Sequence, residues 1–227
     1  MDRTLLHAAT SGDVDALKRV AERGANLLDG KTPFGNTALH IAVTFKRQQF
    51  IEDICVRRPA LLGRRNVNGE TPLHLAEILG SHEAVVFFLE HAGPLDVEPA
   101  AAPDVEPVAA PDVELAVAPP TGVQALLRAV DRYGNNTLHV ALLNGHVGVA
   151  KKLVSADPGL AAHINQNDES PLYLAAMRGF LEIVQLLLVC VPCDHRGPRG
   201  QTAMHAAVSG GHQGSGFLYP QRSKTSS

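Results

Sequence analysis

Apolar residues in this chain follow two alternating helical patterns. A short run containing small residues, such as Ala8-Ala9, is followed after a break by a run with apolar residues three or four positions apart, as in Val14, Leu17 and Val20. That spacing places the side chains on one face of a helix. The pattern therefore predicts pairs of short helices that bury one face against their neighbours.

A recurring phrase opens these pairs. It reads Thr4-Leu-Leu-His7, Thr37-Ala-Leu-His40, Thr71-Pro-Leu-His74, Asn136-Thr-Leu-His139, Ser170-Pro-Leu-Tyr173 and Thr202-Ala-Met-His205. Successive His or Tyr positions are 33, 34, 65, 34 and 32 residues apart, and 65 is close to two periods. Self-similarity at a period near 33 is typical of a stacked solenoid.

Each part of the unit has a physical role. The Thr or Ser hydroxyl can cap the first helix, and Pro72 and Pro171 suit a first turn whose N–H needs no partner. Glycines such as Gly80 end that helix, and turn-rich segments such as Asn66–Gly69 precede the phrase as tight hairpins. Lys46 and Asp168 depart from this pattern because they replace turn glycines.

The phrase and its period resemble the ankyrin repeat, which implies an all-α solenoid of helix–turn–helix–hairpin units. The resemblance covers about residues 3–212, with one interruption. In that family the hairpin tips and exposed first-helix positions line a concave groove that binds proteins. Carried over to this chain, the candidate partner-binding residues are Phe34, Thr44, Phe45, Asn68, Glu70, Ile78, Leu79, Arg132, Tyr133, Asn135, Leu143, Asn144, Met177 and Arg178. Phe45, Tyr133 and Arg178 are the expected hot spots, because aromatic and Arg anchors dominate binding energies.

The interruption covers residues 92–124. Within it, Asp-Val-Glu recurs every eight residues, seven of the chain's 15 prolines occur, and no aromatic or basic residue is found. Such a composition predicts a disordered acidic insertion, either a spacer or a short linear binding motif. We expect it to loop out and leave the third and fourth repeats in contact, since closing a loop costs little more as it lengthens.

The domain organisation follows from these boundaries. Repeats 1–3 occupy residues 1–91 and repeats 4–6 occupy residues 125–212. The last repeat is incomplete, because no second helix follows Gly210. A disordered tail is expected over residues 213–227, so the sixth repeat is expected to fray or to belong to a shortened gene product.

Composition narrows the functional classes. The net charge is −3 and the pI about 6.4, so no global basic surface indicates nucleic-acid binding. No apolar segment is long enough to span a bilayer, and the N-terminus lacks a signal peptide. A soluble, cytoplasmic protein is expected, with membrane association through a partner or a longer isoform as the alternative.

Candidate chemistry is sparse. The recurring histidines are interpreted as structural, because Tyr173 replaces one of them and Tyr is a poor substitute for a metal ligand. Cys190-Val-Pro-Cys193-Asp-His195 has ligand-like spacing, with His205 or His212 as further candidates, but one Cys-x-x-Cys is a weak zinc signal. Neither a phosphate loop nor a nucleophile motif is found. The sequence predicts no enzyme, metal, cofactor or small-molecule substrate, and another protein as partner.

Two further phrases resemble a plant subgroup. Arg58-Pro-Ala-Leu-Leu and Asp157-Pro-Gly-Leu-Ala each follow a second helix and precede the next hairpin. They are similar to membrane-anchored plant ankyrin proteins of the accelerated-cell-death type. This resemblance implies an adaptor in plant defence or stress signalling. The alternative is a truncated or regulatory form of a membrane-anchored ankyrin signalling protein.

Overall fold

A computed structural model describes residues 1–91, 122–189 and 193–210. Six repeats are recognisable in these ranges, and each begins with a short helix. These first helices are α1 Arg3–Ser11, α3 Ala38–Thr44, α5 Pro72–Ile78, α8 Thr137–Leu143, α10 Pro171–Met177 and α12 Ala203–Ser209. The second helices are α2 Val14–Arg23, α4 Gln48–Arg57, α6 His82–His91, α9 Val147–Ala156 and α11 Leu181–Val189. The predicted all-α repeat architecture is confirmed.

The helices form two parallel rows. In the first row each helix packs on the next, in the order α1, α3, α5, α8, α10 and α12, and the second helices do the same. The core between the rows is aliphatic and Ala-rich, with Phe50 and Phe88 as its largest fully buried side chains. Small residues such as Ala42, Ala76 and Ala141 are fully buried in the first helices, where they allow close helix packing.

The third and fourth repeats are in direct contact, as expected. Helix α5 packs on α8, and α6 packs on α9. The backbone N–H of Arg132 donates to the Asn68 carbonyl at 2.8 Å, just as Val67 donates to Phe34 at 3.1 Å and Gln166 to Tyr133 at 3.0 Å. One ladder of hydrogen bonds therefore links the hairpins of repeats 2 to 5.

The end of the predicted insertion is helical. Residues 122–124 begin α7, Gly122–Leu127, whose Leu126 and Leu127 are buried. In other repeats 3₁₀ helices fill this position, at Ala25–Asp29, Pro59–Gly63 and Pro158–Ala162. Residues 122–124, which the sequence analysis places in the insertion, therefore lie in the helix that leads into repeat 4. The rest of the predicted insertion, 92–121, and the predicted tail, 213–227, lie outside the described residues.

Polar caps start the first helices. Thr71 and Ser170 accept hydrogen bonds from the N–H groups of His74 and Tyr173, and Asn136 does so for His139. In the first repeat, however, the cap is Asp2, which accepts from Thr4 and Leu5, and Thr4 lies within α1. A carboxylate two residues earlier thus takes the role predicted for the hydroxyl of Thr4.

Four of the five repeated histidines, His40, His74, His139 and His205, contact the cap of their own helix, and His7 is exposed. His40 Nδ1 accepts from the Thr37 backbone N–H at 3.2 Å and lies 2.8 Å from the Thr37 hydroxyl, and His74 makes the same pair of contacts with Thr71. His40, His74 and His139 are all fully buried. Each ring closes the cap of its own helix.

Three described non-glycine residues have left-handed backbone conformations, Lys46, Asp168 and Arg199, and the first two take turn positions that glycine fills in other repeats. Lys46 has φ 54° and Asp168 has φ 59°, values close to those of the glycines at equivalent sites, such as Gly80 and Gly134. The turn therefore keeps its shape when the glycine is replaced, at a cost of about 1 kcal/mol per residue.

Candidate protein-binding surface

The hairpin loops are rigid because their side chains bond the backbone. Asn66 Oδ1 accepts from the N–H groups of Asn68 and Glu70 at 2.9 and 3.0 Å. Asp131 does the same for Tyr133 and Asn135, and Asn165 for Asn167 and Glu169. Loop tips held in this way lose little entropy when a partner binds.

An exposed apolar row follows the hairpin tips. Phe34 is 70% exposed, Val67 62% and Tyr133 50%. Val67 and Phe34 are adjacent across the hairpin ladder. The Arg132 guanidinium lies 4.7 Å from the centre of the Tyr133 ring and donates to its hydroxyl. We name Phe34, Val67, Asn68, Arg132 and Tyr133 the hairpin row.

Val67 was not predicted. It occupies the residue before the loop tip, where Arg132 and Gln166 stand in later repeats. Its exposure follows from the backbone bond to Phe34, which turns that position to the outside. A Val in a turn-rich segment was the one signal that could have indicated it.

A second row of predicted residues lies at the ends of the first helices. Thr44, Phe45, Asn144 and Arg178 are exposed there, and Ile78, Leu79, Leu143 and Met177 are partly buried. Each member directly ends or follows its helix. We name these eight residues the helix-end row. It runs through repeats 2 to 5 and combines apolar contact area with a cation at Arg178.

Two predicted residues are turned inward. Asn135 is 6% exposed, and its amide donates to Asp131 and accepts from Asn165. The Glu70 carboxylate accepts from the side chains of Asn66 and Asn68. Asn135 is therefore removed from the candidate surface, because its side chain links neighbouring loops.

The other candidate chemistry receives no support from the described residues. Within residues 1–91, 122–189 and 193–210, three or more potential metal ligands do not cluster anywhere. Cys190 lies outside the described residues, so the Cys-x-x-Cys pair is not placed. Burial raises the pKa of the Cys55 thiol to about 12, so this group stays protonated. None of the described helices has the length and apolar character needed to cross a bilayer.

Stacked helix pairs with projecting loops and an exposed row along one edge define a solenoid scaffold for protein interactions. A family profile for ankyrin repeats in three copies matches residues 158–219, and one for a single ankyrin repeat matches residues 68–99. The two matched segments are ankyrin repeats, and the described helix pairs share one repeat architecture. Proteins of this class are in general non-enzymatic interaction modules whose partners are other proteins.

Similar proteins are found in plants and spiders. The protein Accelerated Cell Death 6 of Arabidopsis thaliana is 25% identical over 181 residues, which cover 79% of this chain and 24% of that protein. Alpha-latrotoxin-Lhe1a of Latrodectus hesperus and alpha-latrotoxin-Lh1a of Latrodectus hasselti are each 30% identical over 89 residues, 38% of this chain. The match spans 6 and 7% of the toxins. This chain therefore corresponds to a minor part of each relative.

Proposed function

We propose that this protein is a non-enzymatic adaptor that binds a partner protein between the hairpin row and the helix-end row. The observation that carries this proposal is the continuity of both rows across the third and fourth repeats. An unbroken ladder of backbone bonds holds successive hairpins in register over that junction. A partner segment can therefore contact four repeats at once.

The chemistry of the rows supports protein recognition. Phe34, Phe45 and Tyr133 present aromatic rings that are about half exposed or more, and Arg132 stacks on Tyr133. Aromatic and Arg side chains are the usual anchors of protein interfaces. Because the loops are already ordered by internal hydrogen bonds, binding requires little rearrangement of this surface.

A role in plant defence or stress signalling, in the cytoplasm, is the finer part of the proposal. It is supported by the similarity to Accelerated Cell Death 6 over most of this chain, and by the phrases at Arg58 and Asp157. A regulatory form of a membrane-anchored ankyrin protein is the alternative. Membrane attachment through a partner predicts that the chain co-purifies with membranes. It also predicts that alanine substitutions in the two rows abolish this co-purification.

The test is affinity capture from plant extract with the full chain and a surface variant. Alanine at Phe45, Tyr133 and Arg178 together should reduce capture of the specific partner at least about tenfold, since hot spots carry most of the binding energy. A matched control is alanine at Val56, Glu83 and Lys152, which are exposed on second helices. Equal capture by both variants would contradict the proposed surface.

A further inference from the structure

Most junctions between repeats contain a side-chain bond from one first helix to the next loop. His40 Nε2 lies 3.1 Å from the Glu70 carbonyl, and His139 Nε2 lies 3.0 Å from the Glu169 carbonyl. Tyr173 donates from its hydroxyl to Gln201 Oε1 at 2.9 Å. In each case the residue three positions after the cap contacts the residue before the next cap.

His7 of the first repeat is exposed, whereas the junction between repeats 3 and 4 buries the equivalent residue but lacks the bond. His74 occupies the same position and is fully buried, yet its Nε2 has no hydrogen-bond partner. Burial lowers the pKa of this ring to about 4, and the backbone of Asn135 and Ala129 opposes that shift without reaching hydrogen-bond geometry at Nε2. A buried donor without a partner costs free energy in the closed stack.

A carboxyl group adds a second cost at this junction. Glu77 is fully buried, and neither of its carboxyl oxygens has a hydrogen-bond partner. It follows His74 by three residues, so both side chains point to the same side of α5. The equivalent positions in repeats 2, 4 and 5 hold Val43, Leu142 and Ala176.

Two side-chain bonds across this junction end on backbone carbonyls. They run from Arg65 to Val130 and from His146 to Ile78 at 3.2 Å. Neither bond satisfies the buried polar atoms of His74 or Glu77.

We propose that the stack separates first between repeats 3 and 4, so that repeats 1–3 and 4–6 open as two independent blocks. In a solenoid, stability is a sum of repeat and junction terms, so the junction with the largest uncompensated cost opens first. If the proposed binding surface is correct, opening divides the helix-end row between Leu79 and Leu143. A partner that spans both blocks then binds by holding the junction closed.

Native-state hydrogen exchange of the full chain tests this division. The free energy of exchange should change in one step between α5 and α8, because amides in one cooperative block share an opening. Glu77→Val, which installs the residue of repeat 2, should slow exchange in the weaker block by about tenfold or more. Glu77→Ala, which installs the residue of repeat 5, should act in the same direction without added bulk.

The reciprocal variant moves the defect. Ala176→Glu places a buried carboxyl at the junction of repeats 5 and 6, where a new step in exchange should appear beyond α10. A step elsewhere in the unmodified chain, or no slowing by either Glu77 variant, would overturn the proposal. Partner capture takes no part in this experiment, so its result and that of the surface variants are independent.

Discussion

Arg128, which precedes α8, donates from Nε and Nη2 to the carboxylate of Asp157, which follows α9, at 2.7 and 3.1 Å. The same two positions flank α3 and α4 of the second repeat, but there Asp29 accepts from Arg58. The charges are exchanged while the geometry is kept. This pair of positions therefore accepts the acidic and the basic residue in either order.

This exchange predicts the outcome of a charge swap. Arg58→Asp alone should place two carboxylates together and destabilise the protein by about 1 kcal/mol, because a partly exposed pair is screened by water. Asp29→Arg with Arg58→Asp should recover most of this loss. Chemical unfolding of the two single variants and the double variant measures the coupling. Additive losses would contradict a direct pair.

The buried carboxyl of Glu77 predicts that the free energy of unfolding falls as pH rises. Burial raises the pKa of this carboxyl well above 4.5, so the folded state holds a proton that the unfolded state releases. The contribution of the protonated Glu77 carboxyl to the free energy of unfolding is complete below about pH 4.5. It is lost as pH rises through the raised folded-state pKa, and the free energy of unfolding then falls by up to about 1.4 kcal/mol per pH unit. Urea unfolding between pH 5 and 8 should show a shallower loss for Glu77→Gln than for the unmodified protein. The exposed Glu83→Gln serves as the control and should follow the unmodified protein.

The buried ring of His74 predicts that the free energy of unfolding falls as the pH is lowered into the acid range. Burial lowers its pKa from 6.5 to about 4, and protonating Nδ1 would break its contacts with the Thr71 cap. The contribution of the neutral ring is complete above about pH 6.5 and is lost as pH falls towards 4, by roughly 3 kcal/mol in total. NMR titration should find the His74 ring neutral at pH 5.5. An imidazolium at that pH would refute the assignment.

The left-handed residue Lys46 predicts a stabilising substitution. Lys46→Gly should raise the free energy of unfolding by about 1 kcal/mol, because glycine adopts φ 54° without a Cβ clash. Gly80→Ala should do the reverse, since a Cβ there would lie 2.5 Å from the His146 ring. Thermal unfolding of the two variants should shift in opposite directions. A lower melting temperature for Lys46→Gly would mean that the Lys side chain has a compensating contact.

The exposed residues of the candidate surface could be predicted from sequence where the position of a residue in the repeat determines the exposure of its side chain. Phe34, Phe45 and Tyr133 are exposed because they stand at turn tips or helix ends, which the repeat phrase locates. Asn135 was misplaced because a loop amide can face either solvent or the next loop. Its contact with Asn165, 30 residues away, settles that choice, and no local pattern contains it.

The residues 122–127 show a similar limit. Local composition at the end of the acidic segment favours irregular chain, yet Gly122–Leu127 forms a helix. Leu126 and Leu127 are buried there, because the adjacent repeats leave an apolar site that some pair must fill. Packing therefore overrides local propensity at this point.

The sequence by itself determined the architecture, because a 33-residue period can bury its apolar faces only by stacking identical units. It also determined the role of most of the histidines, since a Thr or Asn and a His three residues later form a helix cap locally, although Thr4 and His7 do not. Only the tertiary structure decided at which junctions the buried polar groups have hydrogen-bond partners. Whether His74 and Glu77 find partners depends on atoms of the next repeat, which lies across a segment of 30 residues. Such long-range polar contacts leave no periodic trace in the chain.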